Sequence, residues 1–356
     1  MSLKRTLALA AALTLPLQAV AADDPMKVGF VYVGPIGDHG WSYQHDQGRK
    51  ELEAHFGDKV QTTYVENVNE GADAERTIRR LAQAGNDVIF TTSFGFMNAT
   101  ERVAADYPDK TFLHATGYKR ADNLGTYLSV TYEGRYVTGT AAGLVTESNV
   151  LGYIASFPIP EVIRDINATY LGAKAVNPDI ELKVVWVNTW FDPAKEADAA
   201  NTLMDQGADV IGQHVDSPTP QIVAQERGVH GTGHHRDMSE FAPEATVCSS
   251  VWVWDRFLAP ELKKIMAGNW VPAEHGALLS MEQGGTDVAC CGKGIDEEEK
   301  AKIMAAREEL LNGEKLIYAG PIADRDGNVK AAEGEALSDA ELWSMDWFVK
   351  GVITQQ

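Results

Sequence analysis

Residues 28–33 form an unbroken apolar run, Val28-Gly29-Phe30-Val31-Tyr32-Val33, and a turn with three glycines and a proline follows it from Gly34 to Gly40. From Tyr43 towards Phe56 the pattern changes to the period of a helix. The alternation then repeats. Strands are predicted over 60–65, 87–92 and 111–115, and helices over 72–84 and 98–107. Arg76, Arg79 and Arg80 fall on the solvent side of the helix over 72–84. Short continuous apolar runs separated by helical patterns indicate a parallel sheet buried on both faces.

After an extended stretch at 124–131 and a Gly- and Ala-rich helix over 133–147, a second series begins. Strands are predicted over 150–155, 181–187, 209–214 and 229–233, with helices over 161–176, 194–206 and 219–227 between them. The order and spacing mirror the first series. Fold class is therefore α/β: two doubly wound parallel-sheet lobes joined by a hinge. A strand over 246–253, a helix over 254–267, strands at 276–280 and 286–289 and a charged helix over 297–311 follow, so the chain must return to each lobe. The boundaries expected are 26–125 plus 246–275 for lobe 1 and 132–245 plus 276–320 for lobe 2, with 321–356 as an extension packing on the lobes.

The length of 356 residues suits two lobes better than one core. A formal net charge of −20 argues against nucleic acid and anionic lipid as partners, since both need a basic surface. At the N-terminus, Lys4 and Arg5 precede an apolar run over 7–17 and the triplet Ala19-Val20-Ala21, the pattern of a secretory signal over 1–21. Cleavage is expected after Ala21, with Ala22 as the alternative. The run is shorter than the roughly 20 residues a spanning helix needs. The expectation is a periplasmic protein, soluble after cleavage. In an oxidising compartment Cys248 either bridges one of Cys290 and Cys291 or all three stay as buried thiols; both readings stand. Their spacing is not that of a zinc site.

There is no GxxxxGK[ST] phosphate loop, no G-x-S-x-G elbow and no HExxH, which lowers the prior for catalysis. His214, His230, His234 and His235 cluster near strand ends, where hydrogen bonding is the plainer reading than metal ligation. No metal or cofactor is expected. In a doubly wound sheet the carboxyl ends of the parallel strands share one edge, and ligands bind there. Those ends carry Asp38 and Trp41, Ser93 and Phe94, Thr116 to Tyr118, Phe157, Trp190 and Asp192, His214 and Asp216, His235 and Asp237, and Trp252. Aromatic rings and short polar groups dominate. Trp41 and Trp190, one from each lobe, suit a sandwich around a planar heterocycle, with carboxylates and amides at the rim. Each acid has a second reading: Asp192 precedes Pro193 as a helix cap, and Asp38 and Asp237 sit where turns are capped. Trp252 and Trp254 share a strand face, which assigns at least one of them to structure.

Four segments together resemble the basic membrane protein family of substrate-binding proteins for ABC transporters, whose characterised members include purine-nucleoside receptors. Gly37-Asp38-His39-Gly40-Trp41-Ser42 is similar to that family's D-x-S-F-N turn, with Trp41 where a stacking Phe is usual. Thr189-Trp190-Phe191-Asp192-Pro193-Ala194-Lys195 resembles its S-F-x-D-P-x-K segment. The stretch from Leu128 to Gly139 resembles the crossover and following helix, and Gly233-His234-His235-Arg236-Asp237 its G-V-D-x-D turn. The resemblance implies a two-lobed type I periplasmic binding protein, monomeric, with a purine ligand and a membrane permease as partners. It departs at His235, where an Asp implied to hold ribose is usual, and at Trp252, near a usual Lys. An adenine-like base is therefore expected ahead of an intact purine nucleoside. The ligand set expected is Asp38, Trp41, Ser93, Phe94, Tyr118, Trp190, Asp192, Asp216, His235, Asp237 and Trp252. Two rival readings are an exported purine nucleoside hydrolase working through Asp38 and Asp216, and a sensory receptor for the same ligand.

Overall fold

The computed structural model describes residues 24–354 apart from 291 and 294. The expected signal segment and Cys291 therefore lie outside the described residues. The first series forms β1 (Met26–Val31), α1 (Trp41–Phe56), β2 (Val60–Val65), α2 (Ala72–Gln83), β3 (Val88–Thr91), α3 (Met97–Asp106), β4 (Thr111–Ala115) and β5 (Leu124–Ser129). A crossover leads into α4 (Thr131–Val145). The second series is β6 (Val150–Ala155), α5 (Pro160–Val176), β7 (Glu181–Trp186), α6 (Pro193–Asp205), β8 (Val210–His214), α7 (Thr219–Glu226), β9 (His230–Gly233) and β10 (Thr246–Trp252). Then come α8 (Asp255–Met266), β11 (Ala277–Leu279), β12 (Thr286–Ala289) and α9 (Glu297–Leu311). The tail holds β13 (Ile322–Ala323), β14 (Val329–Ala331), α10 (Asp339–Trp343) and β15 (Val352–Thr354).

Two large sheets result, in strand order β11-β5-β4-β3-β1-β2 and β12-β10-β9-β8-β6-β7-β15, besides an antiparallel pair of β13 and β14 in the tail. The orders superimpose: β6 stands for β1, β7 for β2, β8 for β3, β9 for β4 and β10 for β5. Pairing within the two large sheets is parallel throughout except where β12 runs antiparallel to β10. Each sheet is covered on both faces, as its apolar runs require. On the first, Val28, Phe30 and Phe90 face α1 and α8, while Val31, Ile89 and Phe112 face α2 and α3. On the second, Leu151, Tyr153 and Val184 face α4 and α5, while Ile154 and Ile211 face α6 and α7. The α4–α5 contact is close because glycine permits it: a Cβ on Gly139 would strike the Thr169 carbonyl, and one on Gly172 the Tyr136 carbonyl.

The lobe boundaries differ from expectation in two places. Residues 246–275 were expected in lobe 1, yet β10 lies in the second sheet between β9 and β12, and the segment packs on lobe 1 from its end onwards, through Trp252, Trp254, α8 and Trp270. Residues 276–320 were expected in lobe 2, yet β11 pairs with β5 of the first sheet. The reason is topological. β10 is the counterpart of β5, and each is the last strand of its lobe's consecutive series before the chain crosses to cover the other lobe. Three crossings near residues 130, 253 and 280–285 form the hinge. The tail packs mainly on lobe 2. Arg164 donates to the Leu342 carbonyl at 2.5 Å, and Asn167 donates to the Trp347 carbonyl at 2.9 Å. Trp343 reaches across to the first-lobe cluster.

The cysteine alternatives resolve into a disulfide between Cys248 on β10 and Cys290 just after β12, 42 residues apart in sequence. Both ends lie in lobe 2, but the chain between them passes through lobe 1 as α8 and β11.

Candidate functional site

The carboxyl ends of the two sheets face each other. After β1, the Asp38 carboxylate accepts from the backbone N–H groups of Gly40, Ser42 and Tyr43, at 2.8, 3.1 and 3.0 Å. It fixes the start of α1, whose free N–H groups need such an acceptor. That places Trp41, the first helical residue. Its indole N–H donates to the Thr92 carbonyl at 2.5 Å, and its ring meets Trp252 and Trp254 edge-on at 5.1 and 5.4 Å. Trp41 is 9% exposed, and what it exposes lines the cleft. Beyond β3, Ser93 donates to Glu70 at 2.5 Å, and Phe94 opens a short 3-10 turn.

From lobe 2 come Ile159 and Glu161 at the start of α5, Trp190 after β7, His214 and Asp216 at the end of β8, and His235 after β9. Trp190 rests against Phe157 with ring centres 5.0 Å apart, and its indole N–H reaches Glu70 of lobe 1 at 3.4 Å. With Val33, Trp41, Ser93, Phe94 and Thr116 of lobe 1, these residues line a narrow cleft between the lobes. Other contacts also join the lobes. Gln44 donates to the His235 carbonyl at 2.7 Å, and Gly40 lies so close to the Asp216 backbone that a Cβ would collide with its carbonyl. The lobes are closed on the cleft.

The electrostatics are those of a dry site. Burial pushes Asp216 up to about 8, partly offset by the Trp41 backbone N–H. Burial and then the Asp216 charge push Asp38 up to about 7. Burial and then Asp165 push Glu161 up to about 8. Burial, with Arg135 next, holds His235 down to about 3, so its imidazole is neutral. The Trp252 indole N–H donates to His235 Nδ1 at 2.9 Å, which leaves the ring proton on Nε2. That N–H lies 3.2 Å from Asp216 Oδ1 without forming a well-aligned hydrogen bond, and the Val215 carbonyl lies beside the ring as a weak backbone acceptor. Asp216 Oδ2 and Thr116 Oγ1 are also buried without partners. Native proteins leave few buried polar atoms unpaired, and three around one cleft, Thr116 from lobe 1 and Asp216 and His235 from lobe 2, mark a place where a ligand completes the set. Thr116 and His235 also hold left-handed backbone conformations, with φ of 67° and 73°. Strain of this kind collects at binding sites.

Of the residues expected from the sequence, Trp41, Ser93, Phe94, Trp190, Asp216 and His235 line the cleft together. The other five do not. Asp38 is turned into its own loop as the α1 cap. Asp192 caps α6 through the Lys195 N–H, and Asp237 caps the 3-10 turn at Met238–Glu240 through the Ser239 N–H. Trp252 lies behind His235, stacked on Trp254 at 4.8 Å. Tyr118 is 55% exposed, its ring tilted against Phe94 with centres 6.4 Å apart. Val33, Ile159 and Glu161 went unremarked in the sequence. Glu161 was masked because an acid in the first turn of a helix has a sufficient reason in the helix dipole. Thr116 and His214 stood among the strand ends but were not selected from them.

Behind the cleft, Asp165, His214 and His234 bring three potential metal donors within 4.8 Å of one another. Arg135 Nε stands 3.3 Å from Asp165 Oδ2, so a guanidinium already supplies the positive partner.

The chain matches, over residues 26–320, the Bmp family model, described as ABC transporter substrate-binding protein PnrA-like. It belongs to the Bmp family. Members of this family are the substrate-binding proteins of ABC transporters. A purine-binding protein of Brucella abortus is 47% identical over 94% of this chain and 95% of its own length. A putative ABC transporter glucose-binding protein of Haloferax volcanii is 42% identical over 92% of this chain and 81% of its own length. Among solved structures, an ABC transporter solute-binding protein of Aeropyrum pernix superimposes with a TM-score of 0.69 at 18% identity, covering 84% of this chain and 93% of that one. The fold of this Bmp protein is thus the two-lobed one of type I periplasmic solute-binding proteins. Among the described residues no helix is long and apolar enough to cross a membrane.

Proposed function

We propose that this protein is the periplasmic receptor of an ABC importer, that it captures a purine base between its lobes, and that it passes the base to a membrane permease without chemical change. The observation that carries the reading is the composition of the cleft. Trp41 and Phe94 from one lobe and Trp190 from the other supply flat apolar walls, while the unpartnered His235 N–H, Asp216 Oδ2 and Thr116 hydroxyl supply its polar edge. A ring system with donors and acceptors round its rim satisfies both. The similarity to the Brucella purine-binding protein points the same way. A bare base suits the space better than a nucleoside, because the Gly40–Asp216 contact closes the side beyond the polar edge.

The hydrolase reading needs Asp38 and Asp216 as a working pair. Asp38 is occupied by three backbone N–H groups, which favours the non-enzymatic reading. The secretory pattern of residues 1–21 supports export, and a monomer that docks on the permease when closed is the assembly proposed. A chemoreceptor as the downstream partner would use the same closed form. Because the Haloferax relative is named for glucose, the deciding calorimetric panel is adenine, guanine, adenosine, guanosine and glucose, with free base assayed after incubation with the nucleosides. Adenine is expected to bind tightest, with no base released. Adenosine binding far more tightly than adenine overturns the base preference, glucose alone binding overturns the purine, and released base restores the hydrolase.

A further inference from the structure

We propose that Glu161 is a specificity-determining residue of the cleft, one that pairs in its uncharged form with a ligand edge carrying an N–H beside a lone-pair nitrogen. The inference rests on the purine reading above.

Glu161 is the second residue of α5, directly after Pro160. It is 7% exposed, it lines the cleft, and its carboxyl has no hydrogen-bond or ion-pair partner among the described residues. A largely buried acid whose carboxyl opens on the cleft and has no protein partner is placed to take a ligand's hydrogen bonds.

The charged and titratable groups around it explain the missing partner. On its own helix stand Arg164 and Asp165; Arg135 approaches from α4, and Asp216 from the end of β8. His214 and His235 share the cleft wall. Both cations favour the charged carboxyl in part but make their bonds elsewhere, although Arg164 Nε and one Arg135 terminal nitrogen are left without a partner. Arg164 donates to the Leu342 carbonyl and lies over the Tyr132 and Trp343 rings. Arg135 pairs with Asp165 and lies over Tyr153. Asp165 and Asp216 are acids themselves and disfavour a second negative charge. Burial acts in the same direction, with the Glu161 carboxyl pushed up to about 8.

A neutral carboxyl presents one O–H donor beside one C=O acceptor, whereas a carboxylate presents two acceptors. Adenine offers the matching pattern on three edges: the 6-amino group beside either neighbouring ring nitrogen, and N9–H beside N3. A carboxylate at the same place would match only two adjacent donors. The pairing also excludes anionic ligands from a cleft already lined by acids.

The test is adenine calorimetry on the wild type, Glu161→Gln and Glu161→Ala at pH 7 and pH 9, with melting curves to confirm that each variant folds. The glutamine amide keeps a donor beside an acceptor and cannot ionise. Expected are an affinity for Glu161→Gln within about threefold of wild type at pH 7 and a loss of more than about tenfold for Glu161→Ala. Raising the pH to 9 ionises Glu161 in the free wild type and weakens its binding, by about tenfold from this residue alone. Glu161→Gln should lack that tenfold, whatever Asp216 contributes to both proteins. A Glu161→Gln variant as weak as Glu161→Ala means that the carboxylate binds, and overturns the proposal. So does a Glu161→Ala variant within twofold of wild type that still binds adenine. A wild type that binds no purine brings down the purine reading itself, and this inference with it.

Discussion

The ring proton of His235 is placed by one hydrogen bond. The Trp252 indole N–H holds Nδ1 as an acceptor and so turns the remaining N–H towards Asp216 and the cleft. Trp252→Phe keeps the stack on Trp254 and removes only the donor, so the imidazole is free to take either tautomer. The protein should fold with a near-native melting temperature while adenine affinity falls about five- to tenfold, or ~1 kcal/mol. Unchanged affinity by calorimetry would show that the tautomer does not matter. At this scale Trp41, Phe94, Trp190 and Asp216 of the expected set line the cleft, while the rings of Tyr118 and Trp252 and three of the four acids do not. Trp41 and Trp190 follow strand ends in the sequence, outside the period of the predicted strands and helices, although each also packs against the core of its lobe. Asp38, Asp192 and Asp237 stand in the same places, but a short acid beside a helix start serves as cap or ligand contact with the same sequence signature. Only the direction of the side chain separates the two, and all three point into their own turns.

The loop between β1 and α1 does its work through absence of side chain. Gly40 passes the Asp216 backbone with no space for a methyl group, and backbone cannot give way as a flexible side chain can. Gly40→Ala should keep the lobes from closing fully. Adenine affinity is expected to drop more than about tenfold, with little change in the melting temperature of the free protein. Small-angle scattering with saturating adenine should show the variant staying open; a variant that compacts like the wild type would refute the role. Close packing was readable in the chain, since Gly134, Gly139 and Gly143 recur along α4 and two of them, Gly139 and Gly143, meet α5 backbone. Strand and helix identities were readable from period. The membership of β10 and β11 was not. Both read as strands that fit either sheet, and which sheet takes them depends on crossings that no local pattern records.

Across the whole molecule, the Cys248–Cys290 bridge spans a 42-residue excursion that leaves lobe 2, covers lobe 1 and returns. Closing a loop of that length in the unfolded chain corresponds to roughly 4 kcal/mol. Reduction should therefore lower the melting temperature by several degrees, and an unchanged melting temperature on adding dithiothreitol would exclude a stabilising bridge. The pH dependence of stability draws on groups in both lobes. Burial holds His45, His114 and His235 down to about 3, and His214 and His234 well below the ordinary 6.5. Burial also pushes Asp38, Glu133 and Glu196 up to about 7, and Glu161 and Asp216 up to about 8. Between about pH 4 and 6.5 the unfolded chain has given up the five acid protons but gained five on histidine, and the two effects oppose each other. From 6.5 to 8 the unfolded histidines are neutral as well, while the folded protein still carries protons on the acids. The folded state then binds more protons than the unfolded one, so stability falls as pH rises through this window. The net charge of −20 adds repulsion in the same sense. The ligand-free protein is expected to melt at a clearly higher temperature at pH 6 than at pH 8 at constant ionic strength. Asp216→Asn, which removes one of the two highest-titrating acids, should flatten that limb. A melting temperature that climbs from pH 6.5 to 8 would mean that these carboxyl groups are ionised and solvated in the folded protein, and that the cleft is not the dry, uncharged site from which its ligand chemistry was read.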